Sequence, residues 1–264
     1  MRLTANPLQG ILKKVLRDKD CCQMKRVLLS WSSGKDSAWA LYLLRQQEEY
    51  EVVGLFTTLN QAFDRIAMHG VRRVLLEAQA QALDLPLQIV PIPWPCSNAE
   101  YERIMASFCA KARQSRVDVI AFGDLFLTDV RQYRETQLKG TGLEPLFPIW
   151  GLPTKTLAQE MIAAGVRAKL TCVDPKHLAP AFAGRDFDGA LLEDLPEDVD
   201  PCGENGEFHS FVYAGPMFQW PLEIQAGEIA ERDGFVFADL LPGLPLSPKT
   251  ILAQRRGGAE NDRK

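Results

Sequence analysis

The sequence lacks any apolar run near the roughly 18–20 residues that a bilayer-spanning helix needs, so no segment reads as transmembrane. It lacks paired CxxC cysteines: six cysteines stand scattered at 21, 22, 96, 109, 172 and 202. In a chain this large that scatter reads as reduced thiols, not as a disulfide framework. It lacks an excess of positive charge. The 30 Lys and Arg against 34 Asp and Glu leave a net charge of −4, which gives no global field toward nucleic acid or an anionic membrane. Its 19 glycines and 17 prolines in 264 residues fall short of a collagen-like or low-complexity chain. The first residues, MRLTANPLQGILKKVLRDKD, hold no apolar stretch followed by a small-residue cleavage site, so they do not read as a secretory signal. The expected setting is the cytoplasm, with no membrane or nucleic-acid partner. Histidine is scarce, and the spacing of Cys172, His177, Cys202 and His209 matches no common zinc pattern.

What is present is a regular alternation. Residues 1–23 read as an extension, with Met24 standing directly before the first strand. Val27–Trp31, Glu51–Thr58, Leu87–Ile92 and Val117–Phe122 are short apolar runs, and helical periodicity separates them at 38–44, 71–83 and from Ser97 to about Arg116. Ser97-Asn-Ala-Glu100 has the form of a capping box. Such βαβ repetition implies a parallel sheet covered on both faces. Beyond Gly123 the pattern changes: Leu125–Lys139 and Leu157–Ala164 read as helices, with Thr154 or Thr156 as N-cap and Gly165 ending the second. Residues 166–173 and three runs within 208–241 read as strands, with a turn at Arg232-Asp-Gly234. The expected organisation is an α/β, Rossmann-type nucleotide domain over 24–130, a smaller α+β substrate domain over 131–245, and a polar tail over 246–264.

Between the first strand and the first helix lies Ser30-Trp-Ser-Ser-Gly-Lys-Asp-Ser37. A helix N-terminus offers unpaired amides and a positive dipole end. Gly34 permits close backbone approach, Lys35 adds a point charge, and Ser30, Ser32, Ser33 and Ser37 add hydroxyl donors. Phosphate binding follows from these groups. The pattern is not Walker A, since Leu29 stands where its first glycine would be and Asp36 follows the lysine.

Ser32–Ser37 resembles the SGG-x-DS signature of PP-loop ATP pyrophosphatases, with Ser33 in place of the first glycine. Further segments, among them Met68-His-Gly-Val71, Ala121-Phe-Gly-Asp124, Pro145–Trp150, Cys172–Lys176 and Cys202-Gly-Glu-Asn-Gly-Glu-Phe-His209, are similar to the diphthine–ammonia ligase family, and Trp31–Ser37 is similar to its bacterial branch. The resemblance runs from about Met24 to Leu241 and implies a PP-loop (HUP-like) nucleotide domain. It also implies an ATP-dependent ligase that activates a carboxylate as an acyl-adenylate for attack by ammonia. Bacteria are not expected to make diphthamide, so a bacterial chain would act on another acid. The expected cofactors are ATP and Mg²⁺. The expected partners are ammonia or ammonium and an unidentified carboxylic acid, with a homodimer as candidate assembly.

Residue roles follow from this chemistry. Ser30, Ser32, Ser33, Gly34, Lys35 and Ser37 are candidates for the phosphates; Asp36 either holds Mg²⁺ or caps the turn. Gly123 and Asp124, at a strand's carboxyl end, and the backbone around Phe56 are candidates for the nucleotide. Lys35, Glu204, Glu207 and His209 are the catalytic candidates, as proton acceptors or cation ligands. Alternation puts Glu207 and His209 on one side if that segment is extended. His69, Asn205 and Arg131 are the substrate candidates, Arg131 recurring with Arg134 and Lys139 on one predicted helix. Alternatives are a PP-loop enzyme acting on tRNA, disfavoured by the acidic balance and unpaired cysteines, and a non-catalytic ATP or AMP sensor, which leaves Cys202–His209 unexplained. The loop predicts the bond that breaks. Turnover should give AMP and pyrophosphate, and chromatography finding mainly ADP and phosphate would reject the PP-loop assignment.

Overall fold

The computed structural model describes residues 24–66 and 70–243. The expected N-terminal extension, His69 and the polar tail lie outside the described residues. Strands β1 (Lys25–Ser30), β2 (Tyr50–Asn60), β4 (Leu87–Ile92), β5 (Val119–Ala121) and β6 (Glu144–Leu146) pair in parallel in the order β4-β2-β1-β5-β6. The two-residue β3 (Arg65–Ile66) adds antiparallel to β2. Helices α1 (Lys35–Leu44), α2 (Arg73–Leu83), α3 (Asn98–Gln114) and α4 (Thr128–Leu138) are the crossovers. The expected α/β architecture is therefore what forms.

Alternation along the strands explains their continuous apolar runs. Val27 and Leu29 of β1 join one core cluster, with Val119 and Ala121 of β5; Leu28 and Ile120 join the cluster on the opposite face, with Phe108 and Phe122. Successive side chains point to opposite faces and both faces are covered. The chain winds outward through β2 and β4, then returns past β1 to β5. This reversal opens a crevice beyond the carboxyl ends of β1 and β5.

The parallel sheet takes in β6, past the boundary expected at residue 130, because α4 is the crossover that carries the chain from β5 to its parallel neighbour. Helix α4 begins at Thr128, not Leu125: the Leu125 and Phe126 amides donate to Glu204 Oε1 (2.7 and 3.4 Å) instead of entering the helix. Only half of the capping box forms. The Ser97 hydroxyl accepts from the Glu100 amide at 3.2 Å, while the Glu100 carboxylate turns to Arg103. Helix α5 (Thr154–Ala163) has Pro153 at its N-cap, so neither threonine caps it. It ends at Gly165 (φ 88), where the Gly165 and Val166 amides close back on Ile162 and Met161.

The second sheet is antiparallel, in the order β8 (Phe208–Ala214), β7 (Arg167–Val173), β10 (Phe235–Pro242), β9 (Ile224–Arg232), with α6 (Gly189–Asp194) in the β7–β8 connection. The β9–β10 hairpin turns at Asp233 (φ 52) and Gly234 (φ 82), two positive φ values as a type I′ turn requires. Its apolar face does not form a separate interior: Phe211, Val212, Val236 and Leu240 belong to the same cluster as Val27, Leu41 and Leu75.

Charge adds a second tie between the sheets. Asp239 of β10 accepts from Arg65 of β3 at 2.9 Å and from Arg72. Burial opposes its ionisation, and the bonds from Arg72 and Arg65 outweigh this, holding its pKa down at about 2. A depressed carboxylate stabilises above its unfolded pKa and loses that contribution as pH falls through its folded value. Asp239→Asn should therefore cost about 2 kcal/mol near pH 7 by urea unfolding, and the difference from the unaltered chain should shrink between about pH 4 and pH 2.

Candidate functional site

The loop between β1 and α1 sits at the crevice, and the second sheet holds it there. Ser33 adopts φ 70, the left-handed region that glycine favours. Its carbonyl accepts from the Val212 amide of β8 at 2.9 Å and from Gln79 Nε2 at 3.1 Å. The Lys35 amide, in the first turn of α1, donates to Ser210 Oγ at 3.2 Å. Ser32 and Ser37 hydroxyls meet at 3.2 Å, and Ser37 also donates to the Gly34 carbonyl. The Lys35 side chain is buried. Its ammonium donates to Asp36 Oδ2 at 3.0 Å and to the Cys202 carbonyl, and lies over the Phe208 and Phe187 rings at 5.2 and 5.4 Å. Burial opposes that charge, and Asp36, with Cys202 and Asp200 adding to it, outweighs the penalty, so Lys35 titrates above its ordinary value.

The loop that meets Lys35 folds around two carboxylates. Asp200 accepts from the Cys202 and Glu204 amides at 3.1 and 3.0 Å; Glu207 Oε1 accepts from the Asp200 amide and Asn205 Nδ2 at 3.0 and 2.9 Å. Gly203 turns the chain at φ 70, where a Cβ would stand 2.7 Å from the Phe208 carbonyl. Thrown outward by this turn, Glu204 reaches the amides of Leu125 and Phe126 after β5.

Adjoining cavities of about 300 and 260 Å³ share Ser30, Ser32, Phe122, Arg134 and His209 in their walls. The first is mostly apolar, with Phe56, Thr57, Tyr101, Met105 and Phe108; the Phe56 and Phe108 rings meet at a tilt of 34°, their centroids 4.6 Å apart. The second holds Lys35, Asp36, Ser37, Gly123, Asp124, Gly203, Glu204 and Ser210. The structure thus brings Ser30, Ser32, Lys35, Asp36, Ser37, Phe56, Gly123, Asp124, Glu204 and His209 together. Ser33 and Gly34 support the loop from behind. Glu207 and Asn205 line neither cavity: strand β8 begins only at Phe208, and Glu207 is used as the internal brace of its own loop. Arg131 also lies outside both walls. Its guanidinium stacks over Phe147 and Trp150 (4.8 Å to each centroid) and pairs with Glu135. Arg134, one turn on, lines both cavities and faces Asp124 at 3.5 Å. Ser210 and Tyr101 carried no signal in the sequence, because long-range packing alone brings them here.

The second cavity carries three carboxylates against two cations in its wall. Burial raises the pKa of Asp36 against the pull of Lys35, and that of Asp124 against Arg134. Burial pushes Glu204 up to about 7, with the charges of Asp36 and Asp124 adding to the rise and the Leu125 amide opposing it. His209 is lowered to about 4 by burial and by Lys35, so it is neutral at pH 7. Among the described residues, Asp36 Oδ1 is buried without a hydrogen-bond partner. An unsatisfied carboxylate oxygen among like charges is a donor suited to a hard divalent cation. Asp36 Oδ1 is thus open to one bond from Mg²⁺ while Oδ2 stays with Lys35, but among the described residues no group of three or more His, Cys, Asp or Glu side chains gathers to hold a metal ion.

Residues 24–145 match the family model for the diphthamide synthase N-terminal domain, and residues 153–239 that for the diphthamide synthase C-terminal domain. The chain is similar to proteins named diphthine–ammonia ligase. That of Bos taurus is 26% identical over 240 residues, covering 81% of this chain and 88% of the relative. That of Rattus norvegicus is 25% identical over 253 residues, covering 85% and 93%. That of Homo sapiens is 26% identical over 242 residues, covering 81% and 88%.

The packing of Gly123 against α1 tests how tightly the cavity is built. A Cβ there would meet backbone atoms of Ser37 and Asp36 at 2.9 and 3.0 Å, and backbone cannot rotate aside. Gly123→Ala should shift the first turn of α1 and weaken ATP binding by about tenfold or more. Calorimetric titration with ATP, alongside a melting curve showing a folded chain, checks this.

Proposed function

The chain belongs to the diphthamide synthase family, and from that membership we propose how it works as an ATP-dependent amide-forming ligase of the PP-loop kind. A substrate carboxylate attacks the α-phosphorus of ATP, giving an acyl-adenylate and pyrophosphate. Ammonia then attacks the acyl carbon, and the amide, AMP and one proton result. The observation that carries this reading is a polar cavity walled by Ser32, Lys35, Asp36, Ser37 and Gly123–Asp124 on one side and by Gly203–Glu204 on the other.

In this reading the adenosine lies in the apolar cavity with Phe56 and Tyr101, and the phosphates meet Ser32, Ser37 and the start of α1. Charge that develops on departing pyrophosphate is met by donors already fixed in place. Arg134, at the junction of the cavities, faces the α-phosphate or the acid. Asp36 would hold Mg²⁺, which supplies charge neutralisation for the triphosphate in an otherwise acidic cavity. Glu204 takes the proton that ammonia sheds. Its pKa of about 7 lies near the operating pH, where a general base works best. His209, neutral and with a pKa of about 4, is too weak a base for that step; it packs and orients. Glu207 shapes the loop that carries Glu204. His69 and Arg131 remain substrate candidates for the acid's remote parts.

At constant free ammonia, amide formation should rise with pH through about 7 and flatten above it. Glu204→Gln should remove that inflection and slow amide formation about 100-fold, the low end of general-base effects. Exchange of labelled pyrophosphate into ATP, which reads adenylation alone, should fall far less. Equal loss of exchange and amide formation would reassign Glu204 to nucleotide or metal binding.

A further inference from the structure

We propose that Gln79, which belongs to no motif, is a positioning residue for the phosphate loop: its buried carboxamide holds Ser33 in the left-handed conformation on which the loop's shape rests. The inference builds on the reading of this loop as a nucleotide site.

Gln79 lies on α2, fully buried, and its carboxamide is saturated in three directions. Oε1 accepts from Trp31 Nε1 at 2.8 Å; Nε2 donates to the Ser33 carbonyl at 3.1 Å and to the Val212 carbonyl at 2.6 Å. The indole can only donate and the carbonyls can only accept, so the amide has one possible orientation. It joins the end of β1, the phosphate loop and β8 at one point.

Ser33 is the part of that point under strain. At φ 70 a non-glycine residue is disfavoured by about tenfold in population. Asn or Asp offsets this with a side-chain hydrogen bond, but the Ser33 hydroxyl is buried and has no partner among the described residues. Compensation comes instead through its carbonyl, held by the Val212 amide and by Gln79. Without Gln79, one donor remains to hold a peptide that sterics push toward negative φ. Rotation at Ser33 would shift Gly34 and with it the start of α1, whose Lys35, Asp36 and Ser37 wall the polar cavity.

A double-mutant cycle separates this role from ordinary core packing. The unaltered chain, Gln79→Met, Ser33→Gly and the double variant are titrated with ATP, and each is melted. Gln79→Met should weaken ATP about tenfold when made on the unaltered chain but less than about twofold when made on the Ser33→Gly chain, so that the double variant recovers most of the loss, because glycine holds positive φ unaided. The melting midpoint should fall in Gln79→Met and stay low in the double variant, since glycine does not restore the lost buried hydrogen bonds. Affinity that recovers while stability does not is the signature of positioning. Unchanged ATP affinity in Gln79→Met, or no recovery in the double variant, overturns the proposal. If Gln79→Met does not fold, Trp31→Phe removes the donor that orients the carboxamide; because Trp31 also lines the first cavity, the effect is read by its rescue in Ser33→Gly, which a lost nucleotide contact would not show. Trp31→Phe should give a smaller loss with the same rescue, and no loss overturns the proposal equally. An unaltered chain that binds no ATP overturns the nucleotide reading itself.

Discussion

A buried ammonium organises this molecule. The Lys35 side chain is 2% exposed, and a charge removed from water must find partners in the protein. One is its neighbour Asp36; the other is the Cys202 carbonyl, far along the chain. That demand brings the Cys202–Glu207 loop to the start of α1 and closes one wall of the polar cavity. Other bonds follow the same line of approach: Ser210 to the Lys35 amide, Val212 to the Ser33 carbonyl, Glu204 to the amides after β5. The second sheet therefore completes the phosphate loop as well as facing it.

The same geometry sets the electrostatics. Three carboxylates, Asp36, Asp124 and Glu204, wall one cavity, and two of them have a cation beside them, Lys35 and Arg134. Glu204 has only backbone amides, so its charge is the least compensated, and its pKa stands at about 7. A cavity arranged this way favours an incoming cation or proton. That fits a reaction in which a metal accompanies the triphosphate and a proton leaves the nucleophile.

The first sheet was legible because strands buried on both faces read as short apolar runs, and the phosphate loop because donors crowd one strand-to-helix turn. The line from Ser32 to Ser37 and Gly123-Asp124 could be drawn from local chemistry and strand order. Glu204 was legible as a member of a polar cluster, but its neighbours Asn205 and Glu207 looked equivalent to it. Only the turn at Gly203 separates the carboxylate that faces the cavity from the one that braces the loop. Arg131 and Arg134 were likewise indistinguishable until the aromatic rings of Phe147 and Trp150 engaged the first. Gln79 left no trace, since a glutamine on an otherwise apolar helix face gives no sign of what it bonds. Such contacts depend on register between distant segments, and local pattern carries no record of it.

The shared core bears on how the phosphate loop can be inherited. Many nucleotide-binding turns take their shape from one strand–helix unit and travel between proteins as a cassette. Here the signature residues lie in the first sheet, but of the groups that fix Ser33 and seat Lys35 only Gln79 and Asp36 lie with them; Val212, Ser210 and the Cys202 carbonyl lie on β8 and on the loop before it. Residues 24–145 cut free would keep the lettering of the motif and lose half of the clamp that shapes it. In this chain the two halves therefore share one loop between them. A relative that has exchanged its second sheet must have rebuilt the rear support of its loop, whatever its signature still spells.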